Sequence, residues 1–397
     1  MGGFMILSST MSKSGSVLNP LSKSLGTPDA WSGLLVAAST IPGILVSLPA
    51  ASLSDVFGRR RFLLIAGLIF ASAPFLYLLI TIWWQLILVR FYHGFATAIF
   101  VPVAEASIAE LFPNNRGQQM SLFTSATYVG RVIAPSLGGY ILFATNSDFH
   151  QVYLAVAFAA LTGLIISLPF LARGRQETTT GSRPTRETMR KMLSSWRKLA
   201  SNSSTAIVSL VQASQYYVFG AFDFYIAGYM INVLKYTTFG QGLVYSTVLV
   251  VAIFARPSMG RVSDRIGRRI PIILGCILSA VALATIPYIT DFTTLIVLLV
   301  AYGFGFATVT ASTSPLMCDI APNEIVGTSM GFLDTTMDIG QTIGGFVSGL
   351  VFASSLHYAG VFLVFAAVLL FGCAVFAFSG VQTRVVRLVV RSLRRKS

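Results

Sequence analysis

Residues Ser54-Asp-Val-Phe-Gly-Arg-Arg60 recur as Ser263-Asp-Arg-Ile-Gly-Arg-Arg269, an offset of 209 positions. Two further landmarks keep nearly the same interval. Glu110-Leu-Phe-Pro113 matches Asp319-Ile-Ala-Pro322 at 209, and Gly130, Ala134, Pro135 and Gly139 match Gly340, Gly344, Gly345 and Gly349 at 210. Three landmarks at one spacing mark an internal duplication covering about half the chain per copy.

The chain around these landmarks is strongly apolar. Of its 397 residues, 54% are hydrophobic and 11% charged, against about 25% charged in a soluble domain. So little charge cannot cover so much apolar surface in water, so lipid is the expected solvent. Disorder, collagen and a disulfide-stapled secreted scaffold are excluded. A membrane-crossing helix needs about 20 apolar residues. Apolar runs between polar punctuation predict twelve spans: Phe4–Leu25, Trp31–Ser54, Phe62–Ile82, Gln85–Ala109, Gln119–Phe143, Gln151–Leu171, Thr205–Leu234, Phe239–Met259, Ile270–Thr290, Thr293–Asp319, Thr328–Ala353 and Tyr358–Gly380. All are expected to be helices, because a segment in hydrocarbon must satisfy its own backbone groups. The 34 glycines suit close helix packing there. The first span contains Met11-Ser-Lys-Ser-Gly-Ser16, a polar run that must face protein or water. Met1–Leu25 has no basic start and holds Lys13 in its interior, so it reads as a span and not as a cleaved leader.

The predicted organisation is a six-helix bundle at 1–172, a linker at 173–204, a second six-helix bundle at 205–380 and a basic tail at 381–397. The fold class is an all-α integral membrane protein with two pseudo-symmetric halves. Arg59–Arg61, Arg116, the linker, Arg256–Arg269 and the tail collect 23 of the 28 basic residues on one side, leaving Lys23 and Lys235 opposite. The positive-inside rule then predicts cytoplasmic termini in a multi-pass protein of the cell membrane. The net charge of +14 is read as orientation and as contact with anionic lipid headgroups, not as a nucleic-acid footprint. Met189, Met192, Leu193 and Trp196 in the linker, and Arg384, Arg387, Arg391 and Arg394 in the tail, follow helical spacing and predict amphipathic helices at the headgroups.

Cys276, Cys318 and Cys373 sit in apolar runs without metal-ligand spacing. No metal or cofactor is expected. The chain has no Gly-x-x-x-x-Gly-Lys phosphate cradle and no nucleophile–base constellation, so neither ATP-driven work nor enzymatic activity is expected.

Charges inside spans are the next signal, since each costs about 2.5–3.5 kcal/mol at the bilayer centre. Lys13, Arg90 and Arg131 lie in the first half, and Asp223, Asp334 and Asp338 in the second. Asp334 and Asp338 are four apart and share a helical face. Carboxylates so placed disfavour joint ionisation, which suits a proton carrier. Proton coupling is therefore assigned to Asp223, Asp334, Asp338 and Arg90. A solute cavity is assigned to Lys13, Tyr128, Arg131, Gln212, Gln215, Tyr216, Asp223 and Asp334, where aromatic rings and sparse polar groups suit an apolar, planar solute. The other reading of the same residues is structural pairing of the charges and packing of the rings.

The repeated loops have their own chemistry. Asp55 with Gly58 and Arg59, and Asp264 with Gly267 and Arg268, combine an acid, a tight turn and a basic cluster at a helix end. Such an acid can accept charged hydrogen bonds that exist in one arrangement of the halves and break in the other. Gly130, Pro135 and Gly139 predict a bent, closely packed helix. In these loops, in Arg90-Phe-Tyr-His-Gly94 and in Gly130-Arg-Val-Ile-Ala-Pro-Ser-Leu-Gly-Gly139, the chain resembles the major facilitator superfamily over almost its whole length. The last segment is similar to the helix-5 signature of the drug–proton antiporter branch. Ala51, His93 and Ala134 depart from the usual glycine, glutamine and glycine. The resemblance implies that Asp55 helps hold an outward-facing state and that Arg90 takes part in proton movement. It further implies a secondary transporter working by alternating access. The expected activity is proton-coupled export of small amphipathic or organic solutes by a monomer. The alternative is uptake of an organic anion, favoured by Lys13, Arg90 and Arg131.

Overall fold

The structure, a computed structural model, describes residues 2–112, 116–173, 197, 199, 201–320 and 326–380. The amphipathic stretch predicted around Met189–Trp196, the tail at 381–397 and the side chain of Asp55 lie outside the described residues.

Among the described residues no strand occurs, and the helices run in the order α1 (Gly2–Lys13), α2 (Gly15–Ser24), α3 (Asp29–Ala37), α4 (Ile41–Phe57), α5 (Arg59–Leu78), α6 (Trp83–Leu111), α7 (Arg116–Ala144), α8 (Phe149–Arg173), α9 (Ser203–Gly228), α10 (Thr238–Ile266), α11 (Arg269–Thr285), α12 (Phe292–Ile320), α13 (Val326–Phe352) and α14 (His357–Phe378). A π-turn at Tyr229–Val233 prolongs α9, and a 3-10 turn at Ile286–Tyr288 prolongs α11. Taking α1 with α2 and α3 with α4 as single crossings gives the twelve expected spans.

Two of those spans, expected to be continuous, are broken. The first breaks at Ser14, whose backbone is extended at φ −62° and ψ 143°. Its hydroxyl donates to the Met11 carbonyl at 3.2 Å, the local side-chain bond by which serine competes with helix propagation. The second breaks between Ala37 and Ile41. Pro42 has no N–H to offer the Ala38 carbonyl, yet it is accommodated in the first turn of α4, where a missing donor costs nothing. Pro135, by contrast, lies within α7 without interrupting it.

Among the described residues, by length and composition alone, eight stretches are apolar enough to cross a membrane, and they belong to spans two, three, four, six, eight, nine, ten and twelve. The other four crossings are α1–α2, α7, α9 and α13, which are the first and fifth spans of each repeat. These four contain Lys13, Arg131, Asp223, Asp334 and Asp338. The duplication has therefore placed polar helices at matching positions in both halves.

The described residues form two compact units. The first holds those up to 173 together with Gly220–Ser246 and Gly345–Ala353, and the second holds the remainder. The first unit packs around Met5, Phe70, Ala96, Phe100, Val103 and Ala160. Phe70 and Phe100 meet edge to face at 5.8 Å, a geometry contributing about 0.5–1.5 kcal/mol beyond burial. The second unit packs around Val208, Ile272, Val309, Leu316 and Phe376.

Helices in lipid associate through close van der Waals contact, which small residues permit. In the first unit α3 meets the 345–353 segment in this way. A Cβ added at Gly33 would lie 2.6 Å from the carbonyl oxygens of both Gly345 and Phe346, backbone atoms that cannot yield. Gly33→Ala is expected to destabilise the protein by about 1–3 kcal/mol, as overpacking does. Gly331→Ala, with open space around it, is expected to leave the melting temperature in detergent unchanged or slightly raised.

Candidate functional site

The break in the first span exposes the amino end of α2, whose leading N–H groups lack helical partners and carry positive potential. Asp223 of α9 supplies the answer. The Gly15 N–H donates to its Oδ2 at 2.8 Å, and Gln241 Nε2 of α10 donates to its Oδ1 at 3.5 Å. Gly15 allows the approach, because a Cβ there would strike the Asp223 main chain and lie 2.7 Å from the Ala227 methyl. Ser16 Oγ donates to the Pro135 carbonyl at 2.9 Å and ties the same helix end to α7.

The break in the second span exposes the carboxyl end of α3, where carbonyls lack donors and the potential is negative. Arg90 of α6 fills that role. Its Nε donates to the Leu35 carbonyl at 2.7 Å, and its Nη2 donates to the Val36 carbonyl at 3.2 Å and to Ser39 Oγ at 3.1 Å. The residue is 3% exposed. An anion thus faces an amino terminus and a cation a carboxyl terminus. Asp223 and Arg90 are also near enough for their charges to act on each other. Beside Arg90, a small cavity of about 10 Å3, room for roughly one water, is lined by Ser9, Lys13, Ser39, Tyr77, His93, Gly94 and Thr97.

Within the same unit, polar contacts join the segments around Gly220–Ser246 to the first two and fifth spans. Ser136 and Ser246 hydroxyls lie 2.7 Å apart, and Ser246 Oγ also donates to the Val132 carbonyl at 2.7 Å. Thr238 Oγ1 donates to the Gly139 carbonyl at 3.0 Å. Asn19 Nδ2 donates to the Phe224 carbonyl at 3.3 Å, and the hydroxyls of Ser32 and Tyr225 lie 3.1 Å apart.

Other expected site residues fall elsewhere. The Arg131 guanidinium lies over the Tyr128 ring at 5.6 Å, both on α7. Gly130, also on α7, packs on α1, where an added Cβ would lie 2.5 Å from the Gly3 carbonyl. In the second unit, Gln212 Oε1 accepts from Thr313 Oγ1 at 2.5 Å, and Gln215 Nε2 donates to Cys276 Sγ at 3.4 Å. Both glutamines are buried. Tyr216 joins a ring cluster in which Phe219 stacks on Phe306 at 5.0 Å and Arg256 lies over Phe306 at 5.7 Å. On α13, Asp334 is exposed and Asp338 half-buried.

The duplicated loops keep matching bonds. Gly58 and Gly267 take φ of 92° and 89°, left-handed values that favour glycine. Arg59 Nη1 donates to Ser54 Oγ at 3.1 Å, and Arg268 Nη1 donates to Ser263 Oγ at 3.4 Å. In the second copy Arg268 also pairs with Asp264 at 2.5 Å and Asp319 at 3.4 Å. Sequence reading passed over Gly15, Ser39, Gln241, Ser136 and Ser246, which hold the breaks and the inter-helix contacts. Pro42, two residues after the polar pair Ser39-Thr40 within an apolar run, was the one local sign of the second break.

Twelve helical crossings, duplicated, with charged side chains buried at broken spans, define a membrane transporter by architecture. The chain belongs to the Major Facilitator Superfamily, whose family model matches residues 1–253 and 208–395. It is 21% identical over 341 residues to an uncharacterised MFS-type transporter of Methanocaldococcus jannaschii, covering 84% of this chain and 86% of that one. It is 26% identical over 357 residues to the multidrug resistance protein MdtG of Citrobacter koseri, covering 89% and 86%. Among solved structures it resembles a bacterial homologue of the human lysosomal transporter Spinster in an inward-facing, occupied conformation. That match has a TM-score of 0.78 at 15% identity over 94% of this chain and 93% of that one. The crystal structure of a D-xylose–proton symporter matches at 0.75 with 18% identity over 96% of both. The protein is therefore a multi-pass membrane transporter of a non-enzymatic family.

Removing Arg90 would strand two buried carbonyls, each costing about 1–3 kcal/mol when left unpaired. Arg90→Met is expected to lower the melting temperature in detergent sharply. Arg90→Lys, a single point charge in place of a fork, is expected to recover only part of the loss.

Proposed function

We propose that this protein is a secondary active transporter that works by alternating access and exports small amphipathic or organic solutes in exchange for protons. The observation that carries this reading is the Asp223 carboxylate, half-buried within a span and bonded to the Gly15 N–H at the amino end of a broken helix. That bond depends on charge. When Asp223 is ionised, it holds α2 to the 220–246 segment. A proton on Asp223 abolishes the anion that faces the helix terminus, so the segment is freed to move. Asp334 and Asp338, on one face of α13, are the further proton carriers, and Arg90 couples to Asp223 by charge.

The solute contacts in this reading come from Lys13, Tyr128, Arg131, Gln212, Gln215, Tyr216 and Asp334, on the four polar spans. Phe219, Phe306 and Tyr216 offer stacked and edge-on rings to a planar solute. The curated relatives named as multidrug resistance proteins favour the same class of cargo. Gating falls to Asp55, Gly58 and Arg59, their counterparts Asp264, Gly267 and Arg268, and the Gly130–Pro135–Gly139 face of α7. The termini face the cytoplasm of a monomer in the plasma membrane, with the basic segments against anionic headgroups. Uptake of an organic anion is the second reading, favoured by a cleft that Lys13 lines with no carboxylate among the described residues.

The test is transport by purified protein in liposomes containing a pH-sensitive dye. Wild type is expected to move a cationic dye against a proton flux. Asp223→Asn keeps an acceptor for Gly15 but no charge. It is expected to lose about tenfold or more of that flux, the scale of a charged hydrogen bond worth about 1.5–3 kcal/mol. Unaltered coupling in Asp223→Asn, Asp334→Asn and Asp338→Asn would overturn proton exchange. Movement of a labelled carboxylate in place of the dye would select the second reading.

A further inference from the structure

Gln241, in the first turn of α10, combines a fixed backbone with a loosely held side chain. Its N–H donates to the Thr237 carbonyl at 3.0 Å, and the neighbouring Thr238 hydroxyl donates to the Gly139 carbonyl at 3.0 Å. The side chain is fully buried. Its Nε2 donates to Asp223 Oδ1 at 3.5 Å, long beside the usual ~2.9 Å of such a bond. Its Oε1 has no hydrogen-bond partner among the described residues. A buried amide oxygen in this position is costly until something donates to it.

Asp223 meets a donor on each oxygen. The Gly15 N–H is bonded to Oδ2 and the Gln241 amide to Oδ1, which suits a carboxylate because it only accepts. The protonated acid differs, since its O–H has to donate. A proton on either oxygen would therefore meet another N–H. The Gly15 N–H belongs to the backbone of α2 and cannot turn aside. The Gln241 amide can, because its two ends are nearly equal in size and its oxygen holds no bond that turning would break. Turned over, it offers Oε1 to the acid.

The elements around this pair bring ionisable groups of their own. Arg90 of α6 acts on Asp223 through its charge. Lys13 ends α1, two residues before Gly15, and Arg131 of α7 lies over the Tyr128 ring at 5.6 Å. On α10, Tyr245 follows Gln241 by one turn and meets Phe222 at 6.4 Å. Gln241 is the side chain bonded directly to the oxygen that the proton would take.

Building on the reading of Asp223 as a proton carrier, we propose that Gln241 is the positioning residue of that carboxyl, its amide turning over when Asp223 Oδ1 takes a proton. An N–H···O− bond is exchanged for an O–H···O=C bond. One O–H bond forms on Asp223, and the amide keeps both of its hydrogens. The tie between α9 and α10 persists in both states, while the Gly15 N–H is left with a neutral acceptor at Oδ2. Residues 220–246 contain both partners. The proton thus weakens the hold of this segment on α2 and leaves the segment itself joined.

The test is infrared difference spectroscopy of the full chain in lipid, isotope-labelled at the glutamine side-chain carbonyl, as the pH is stepped from mildly alkaline to mildly acidic. Wild type is expected to gain a protonated-carboxyl band that Asp223→Asn lacks. In the same step one glutamine carbonyl band is expected to move to lower frequency, as a carbonyl does when it accepts a hydrogen bond. That movement is expected to vanish in both Asp223→Asn and Gln241→Leu. In Gln241→Leu the Asp223 band is expected to remain but to lie at higher frequency, because the acid O–H has lost its acceptor. An Asp223 band with no glutamine movement would overturn the role of Gln241 and leave the proton carrier standing. So would a glutamine movement that survives in Asp223→Asn, or an Asp223 band of unchanged frequency in Gln241→Leu. If wild type gains no carboxyl band that depends on Asp223, the proton-carrier reading falls and the role of Gln241 with it. If Gln241→Leu does not fold, labelled wild type against Asp223→Asn decides.

Discussion

A peptide group inside a bilayer has no water to bond, and each one left without a partner costs several kcal/mol. Two spans of this protein nevertheless break partway, at Ser14 and between Ala37 and Ile41. The freed groups are satisfied by charged side chains from distant helices, Asp223 on the Gly15 N–H and Arg90 on the Leu35 and Val36 carbonyls. Each half of this arrangement explains the other. A buried aspartate or arginine would cost about 2.5–3.5 kcal/mol on its own, and so would be selected against if the broken helices did not need it. The signs are also the only ones that suit the helix ends they face.

That dependence gives a transporter its movable parts. The 220–246 and 345–353 segments belong to one compact unit with the first six spans, although their own helices α9, α10 and α13 continue into the other unit. Their attachments include hydroxyl and amide contacts, the Asp223 carboxylate and glycine-to-backbone packing at Gly33. Contacts of this kind are specific in geometry and modest in strength, about 0.5–1.5 kcal/mol per neutral hydrogen bond. A change in one carboxylate's protonation is commensurate with them. The polar spans occupy matching places in the two repeats, so the proposed cycle can use the same device from either side.

Much of this was legible in the sequence because it is written in short-range patterns. Hydrophobic run length marked the twelve spans, and the Ser54–Arg60 and Ser263–Arg269 copies marked the duplication. That duplication reappears in space as matched glycine turns and matched arginine–serine bonds. The rarity of charge in lipid singled out Lys13, Arg90, Arg131, Asp223, Asp334 and Asp338. The sequence did not disclose what these charges touch. Gly15 and Asp223 are 208 residues apart, and no local periodicity encodes that meeting. The break at Ser14 joins a local bond, Ser14 to the Met11 carbonyl, to tertiary ones that no local pattern marks, Gly15 to Asp223 and Ser16 to the Pro135 carbonyl. The amide partners of Gln212 and Gln215, Thr313 and Cys276, lie 101 and 61 residues away and were equally unmarked in the sequence.

The central claim is that the 220–246 segment separates from the first six spans during each cycle. A reversible cross-link between cysteines placed at Ser136 and Ser246, whose hydroxyls lie 2.7 Å apart, tests it most directly. Cys276, Cys318 and Cys373 would first be replaced, so that the engineered pair holds the only thiols. The account predicts that the disulfide forms readily, stops solute flux into liposomes and releases it again on reduction. Full flux through the cross-linked protein would contradict it.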